Sequence, residues 1–271
     1  MKSSFTRRKL IAHMALGGVA SLPLSGHAEE QAGSPNPGSV EKPKTTRRRP
    51  RIVAFDVIET LFDTKPLDKI LAELGLPEGS LQIWFPRFLR DAMALEVVGR
   101  FLPFSEVASA SLEALLNENH LEANRNDIQK VLHAFGTLPV HSDVMPAFNA
   151  FSEAGVKIIT LTNGSADTTR KMLVHAGLDE FVQQVISIDE PKHWKPARDV
   201  YLHAVKTMKT EPHFMALVAA HDWDIAGAGS AGLTTGGVAR NSKQFSTAMP
   251  PPDVMGTTLL EVAEGLLAFP E

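Results

Sequence analysis

Ile52-Val53-Ala54-Phe55-Asp56-Val57-Ile58-Glu59-Thr60 is the stretch that decides the fold. Its first four residues are apolar, and the run stops at a carboxylate. A short uninterrupted apolar run of this kind reads as a strand buried on both faces, as in a parallel sheet. Asp56 then stands at the carboxyl end of that strand, where open α/β sheets bind their ligands.

Working outward, residues 66–140 change character. Leu67, Ile70, Leu71 and Leu74 recur at helical spacing, as do Phe85, Phe88 and Leu89, and then Leu112, Leu115 and Leu116. Strand and helix patterns alternate from about residue 141. Strand-like runs at 156–161, 185–188, 215–219 and within 233–239 are interleaved with helical patterns at 143–154, 168–176 and 199–208. This alternation predicts an α/β protein with a doubly wound parallel sheet. Its core comprises residues 51–65 and 141–271, and a helical cap at 66–140 is inserted after the first strand.

Composition narrows the function. The chain has 271 residues, of which 44% are hydrophobic, enough for a sizeable core. Such a composition excludes a mainly disordered chain, a collagen and a bundle of membrane spans. There is no cysteine, which excludes disulfides, thiolate nucleophiles and thiolate metal sites. Residues 1–28 hold Lys2, Arg7, Arg8 and Lys9 and no acid, so the remainder of a chain of net charge −4 carries −8. An acidic body argues against a nucleic-acid partner.

The first 28 residues read as a cleaved export leader. Arg7-Arg8 precedes an apolar stretch, 10–24, that is too short to span a bilayer, and Gly26-His27-Ala28 is a small-residue cleavage site. Thr6-Arg7-Arg8-Lys9-Leu10-Ile11 resembles the twin-arginine export signal. Residues 29–50, rich in Pro, Gly and Ser, predict a disordered linker, with Arg47-Arg48-Arg49 as solvated charges within it. The expected location is the periplasm, with no stable membrane insertion after cleavage.

Four polar clusters fall at predicted strand ends. They are Asp56-Val57-Ile58-Glu59-Thr60, Thr162-Asn163-Gly164-Ser165, Lys195-Pro196 with Tyr201 beyond it, and His221-Asp222-Trp223-Asp224. A carboxylate can attack carbon or phosphorus and form an ester that water then opens. Taken in order, the clusters resemble the motifs of the haloacid dehalogenase superfamily, whose core is Rossmann-like. Within it, Phe55–Asp63, Leu161-Thr162-Asn163-Gly164-Ser165, Lys195–Tyr201 and Trp223–Ala228 resemble the type II L-2-haloacid dehalogenases. The likeness covers about residues 51–270.

The resemblance implies a role for each residue. Asp56 is the nucleophile and Thr60 positions it. Lys195 balances the charge of Asp56, and Asp224 pairs with the lysine and helps orient water. Thr162 and Asn163 hold a substrate carboxylate or the ester oxygen. Tyr201, the sole tyrosine, lies either beside the site or in the core. No metal and no other cofactor is implied, and the assembly is compatible with a homodimer.

Several positions depart from the pattern. Ile58 stands where phosphatases of the superfamily carry an aspartate, and it cannot transfer a proton. Glu59 stands where the family usually has glycine, His221 where dehalogenases carry asparagine, and Ala219 where they carry serine. His221 is either a base for ester hydrolysis or a histidine outside the chemistry. Phe85 follows Trp84 where the dehalogenases have an arginine, so Arg87 is the nearest cation for substrate, with Arg90 behind it. Trp84, Phe85 and Phe88 either line a substrate pocket or fill the core.

The expected activity is displacement of halide from a small 2-haloalkanoic acid by Asp56, then hydrolysis of the aspartyl ester to a 2-hydroxy acid. Two rivals stand beside it. One is a magnesium-dependent phosphatase that uses Asp56, Lys195, Asp222 and Asp224, against which Ile58 counts. The other is a non-catalytic periplasmic small-acid binding protein, suggested by the altered Phe85, Ala219 and His221.

Overall fold

Strand β1 (Ile52–Phe55) is buried along its whole length, which is why its sequence is an unbroken apolar run. It lies in the middle of the sheet, parallel to both β2 (Lys157–Thr162) and β4 (Met215–Ala219). Beyond β2 lies β3 (Val182–Ser187); beyond β4 lie β5 (Thr234–Val238) and β6 (Val254–Gly256). The order is β3-β2-β1-β4-β5-β6, and every pairing is parallel. These elements come from a computed structural model that describes residues 47–240 and 244–271. The expected leader and all but the last residues of the expected linker lie outside the described residues.

This order is that of a doubly wound sheet. The chain runs outward from β1 to β3, returns to β4, and then runs outward the other way, so a switch point falls between β1 and β4. Helix α5 (Val144–Glu153) leads into β2, α6 (Ala166–His175) into β3, α7 (Arg198–Thr207) into β4 and α8 (Asp222–Ser230) into β5. Helix α9 (Leu259–Leu267) closes the chain and packs on α5. Right-handed crossovers put α5 and α6 on one face of the sheet and α7 and α8 on the other.

Between β1 and α5 lie α1 (Pro66–Glu73), α2 (Ser80–Val97), α3 (Phe104–Glu118) and α4 (Arg125–Ala134), followed by a 3-10 turn over Phe135–Thr137. Their aromatic faces meet in one cluster. Trp84, Phe85 and Phe104 each pack against Phe88 or Phe135 at centroid distances of 4.9–6.1 Å. The helical block therefore owes its stability to an apolar interior rather than to helix propensity alone.

Two features depart from the sequence expectations. Strand β6 and helix α9 were not anticipated, since a three-residue edge strand carries no periodicity. Order also begins before Arg51. Arg47 pairs with Asp253 at 2.8 Å, Arg49 donates to the Leu267 carbonyl at 2.9 Å, and the Arg49 N–H donates to Pro270 at 2.7 Å. Arg47 and Arg49 are thus docking groups rather than solvated charges of a linker, while Arg48 is exposed.

Candidate active site

Asp56 leaves β1 one residue after Phe55, whose ring is wedged against Phe148 and Phe151 of α5 at 4.9 and 5.9 Å. The strand end is therefore fixed by packing on one side and by hydrogen bonds on the other. The Asp56 N–H donates to Val218 of β4 at 3.0 Å, which ties the carboxylate to the neighbouring strand end at the switch point. Thr60, one short turn later, donates its hydroxyl to Asp56 Oδ2 at 2.7 Å and accepts the Ala220 N–H at 2.9 Å. Arg240 clamps the same loop, giving two N–H bonds to the Thr60 carbonyl while pairing with Asp143 at 2.7 Å.

Lys195 lies between two carboxylates. Its ammonium is 3.1 Å from Asp56 Oδ1 and 2.8 Å from Asp224 Oδ2, and its side chain is fully buried. Asp224, in the first turn of α8, also accepts the Tyr201 hydroxyl at 2.6 Å. Gly227 makes room for this contact: a Cβ there would stand 2.5 Å from the Tyr201 hydroxyl oxygen and 2.8 Å from Pro196 Cβ. Burial works against the Lys195 charge, yet Asp224 and Asp56 together hold its pKa above the usual lysine value. Burial likewise opposes ionisation of Asp56, but Lys195, His221 and Thr60 outweigh it and hold the carboxyl well below the ordinary range. Asp56 is therefore an anion, as a carboxylate nucleophile must be.

On the other side of Asp56 stands His221, the residue before α8. Its Nδ1 is 3.2 Å from Asp56 Oδ2, and its Nε2 is 2.9 Å from Glu59 Oε2. Its ring stacks on Trp223 at 4.9 Å. Burial favours the neutral ring, but Asp56 and Glu59 overcome it and raise the pKa to about 9. Glu59 occupies the left-handed region with φ 63°, a conformation that costs a side-chain-bearing residue on the order of 1 kcal/mol. The glutamate at a glycine-type position thus reaches the face of His221 remote from Asp56.

Thr162 and Asn163 lie in the loop between β2 and α6. Thr162 Oγ1 accepts the Gly164 N–H at 2.9 Å, and Asn163 Oδ1 accepts the Lys195 N–H at 3.2 Å, so the Thr162 hydroxyl and the Asn163 amide remain as donors. Both residues line a small cavity of about 20 Å³ with Asp56, Ile58, Phe85, Phe88, Phe104, His221 and Trp223. It has room for about one water. A larger cleft of about 270 Å³ continues past it and shares Ile58, Phe104, Thr162 and Gly164 as walls.

The structure brings Asp56, Thr60, Lys195, Asp224, His221, Thr162, Asn163 and Phe85 together. It does not bring Arg87, which pairs with Glu118 of α3 at 2.9 Å. The reason is helical phase: two residues after Phe85 is about 200° around the helix, whereas Phe88 shares the face of Phe85. Trp84 is also core rather than pocket, fully buried and donating its indole N–H to the Ala108 carbonyl at 3.2 Å. Tyr201 reaches Asp224 and so supports the site through that residue rather than as a substrate contact. Asp222 faces away, with its carboxylate accepting the N–H groups of Trp223 and Ser246 at 2.8 and 3.0 Å. Glu59, Phe104, Trp223 and Arg240 are site residues that the sequence reading left without a role. For Glu59 the signal was present: an acid in a glycine position beside the nucleophile.

A doubly wound sheet carrying a buried Asp–Lys–Asp group at its switch point defines a class of α/β hydrolases. The chain belongs to the haloacid dehalogenase-like hydrolase family, whose model matches residues 50–232. Among relatives it is 28% identical to (S)-2-haloacid dehalogenase 1 of Pseudomonas sp. (strain CBS-3), over 80% of this chain and 96% of that protein. Its fold is similar to that of L-2-haloacid dehalogenase from Xanthobacter autotrophicus, with a TM-score of 0.74 and 23% identity over 79% of this chain and 97% of the other. It is also similar to that enzyme's form with chloropropionic acid covalently bound, with a TM-score of 0.73 and 22% identity over 79% and 97%.

Proposed function

We propose that the protein hydrolyses the carbon–halogen bond of a small 2-haloalkanoic acid. The observation that carries this reading is the ionised, buried Asp56 facing a cavity whose wall at Ile58 is apolar. Asp56 attacks the halogen-bearing carbon and halide departs. Halide is stable as an anion and needs no proton, so Ile58 suits it; an alkoxide leaving group would need an acid there. Lys195 balances the carboxylate before the attack and Asp224 after it. The Thr162 hydroxyl and the Asn163 amide receive the substrate carboxylate. Water then opens the ester at the Asp56 carbonyl and releases a 2-hydroxy acid. The same covalent chemistry fits the chloropropionic acid bound covalently in the Xanthobacter enzyme.

The residues do not fit magnesium. Lys195 already supplies the cation between Asp56 and Asp224, Asp222 is committed to backbone N–H groups, and Ile58 offers no ligand atom. The reaction proposed here uses no cofactor and takes a free small molecule. The Arg7-Arg8 leader supports export to the periplasm.

The test is halide release from a panel of 2-haloacids, with and without chelator. Chelator-insensitive release is expected. Chelator-sensitive phosphate release from phosphate esters would favour the phosphatase instead, and binding without turnover would favour a binding protein. Asp56→Asn should abolish turnover while the fold persists. In oxygen-18 water a single turnover should label the Asp56 carboxylate and not the product.

A further inference from the structure

We propose that His221 and Glu59 form the pair that activates water against the Asp56 ester, His221 as the base and Glu59 as the residue that orients it. This role rests on the dehalogenation reading above. The geometry is a continuous chain: Glu59 Oε2 lies 2.9 Å from His221 Nε2, and Nδ1 lies 3.2 Å from Asp56 Oδ2. His221 and Asp56 line the same small cavity, so a water admitted beside the Asp56 carbonyl meets Nδ1. Glu59 fixes the tautomer, since its carboxylate holds the proton on Nε2 and leaves Nδ1 facing the ester. It does so from a left-handed backbone position that glycine would occupy without strain. That strain is accounted for if the side chain has work to do there.

The resting enzyme holds His221 protonated, because two carboxylates face it. Asp56 and Glu59 approach from the β1 loop, Lys195 lies beyond Asp56, and the remaining cavity walls, Trp223, Phe85 and Phe88 among them, carry no charge. Alkylation of Asp56 removes one of the two charges. Burial then acts against the imidazolium with Glu59 alone opposing it, and the Nδ1 proton passes to solvent as halide leaves. Neutral His221 takes a proton from water while the hydroxide forms a bond to Asp56 Cγ. The tetrahedral intermediate collapses, the bond from Cγ to the product oxygen breaks, and His221 returns its proton to that oxygen. The new Asp56 carboxyl gives its proton to His221, which restores the resting pair. One proton and one halide leave per turnover.

The test uses racemic 2-bromopropanoate and the whole protein. His221→Gln keeps much of the ring's volume and removes the base. It should release one equivalent of bromide per site, then turn over at least about 100-fold more slowly, with an ester detectable on Asp56 by peptide mass spectrometry. Should that variant not fold, His221→Phe, which keeps a ring against Trp223 and has no basic nitrogen, carries the same test. Glu59→Gln should lower kcat and move the acid limb of the kcat profile to lower pH, a shift that a merely structural residue would not cause. Wild-type turnover by the His221 variants, loss of the bromide burst together with turnover, or an unmoved limb in Glu59→Gln would overturn the role. No bromide from the wild-type protein would overturn the dehalogenation reading itself, and this role with it.

Discussion

Glu96, near the end of α2, accepts the backbone N–H of Trp194 at 2.8 Å. The residue that follows Trp194 is the buried lysine. The helical block therefore grips the catalytic loop directly, and the other Glu96 oxygen lies 2.8 Å from His193 Nδ1. Trp194 strengthens the grip by donating its indole N–H to Leu102 at 3.1 Å and stacking on Phe104. Glu96→Ala leaves the Trp194 N–H unmet and should cost about 1–3 kcal/mol. A melting curve should show a loss of several degrees. KM for a haloacid should rise more than kcat falls, because the wall carrying Phe85 and Phe88 loosens.

Lys195→Met should be the most damaging change outside the nucleophile. It leaves Asp56 and Asp224 as buried carboxylates without their shared cation, at a cost of about 3–5 kcal/mol. Tyr201→Phe keeps the packing and removes one hydrogen bond to Asp224, so it should cost about 1.5–3 kcal/mol. Urea unfolding monitored by tryptophan fluorescence will rank them, and Lys195→Met should also lose turnover.

Phe85 borders both the catalytic cavity and a neighbouring cavity of about 370 Å³ that is also lined by Lys65, His141 and Arg240. Phe85→Leu should open the partition. KM for a two- or three-carbon haloacid should rise about tenfold, which one poorly filled hydrophobic contact can supply. Longer acids should lose less. A chain-length series of kcat/KM values checks this.

The site also sets how stability responds to pH. His221 has a folded pKa of about 9, above its ordinary value of 6.5, so its contribution is complete below about 6.5 and is lost as pH rises through about 9. Asp56 is shifted the other way, so its contribution holds above its ordinary 3.8 and is lost progressively as pH falls below it. Urea midpoints should therefore fall between pH 6.5 and 9.5. In His221→Gln that alkaline fall should flatten while the acid limb persists.

What could be read from the sequence follows the strength of the local signal. β1 and β4 announce themselves because strands buried on both faces are apolar throughout, and β2 does so through the apolar run Ile158, Ile159 and Leu161. Asp56, Lys195 and Asp224 were legible because they fall in polar clusters at predicted strand ends, which the topology brings together, and because those clusters resemble the family's motifs. Arg87 was misplaced because proximity in sequence says nothing about which side of a helix a residue occupies. The partners of Arg47 and Arg49 were hidden because they lie more than 200 residues away, and two of those contacts are to backbone carbonyls that any sequence would provide.

That last contact brings the two ends of the described chain side by side: the Arg49 N–H donates to Pro270, and the Arg49 guanidinium reaches Glu271 at 3.1 Å. A short Gly-Ser bridge from Glu271 to Arg47 would close the backbone into a ring without crossing the sheet. New ends could then be cut at the exposed turn 77–79, between α1 and α2. In such a circular permutant the helices α2–α4 would stand at the start of the chain rather than as an internal excursion, with every strand pairing kept. The expected result is a folded protein with the same near-ultraviolet dichroism, a melting point lowered by a few degrees, and the same products from the same substrates.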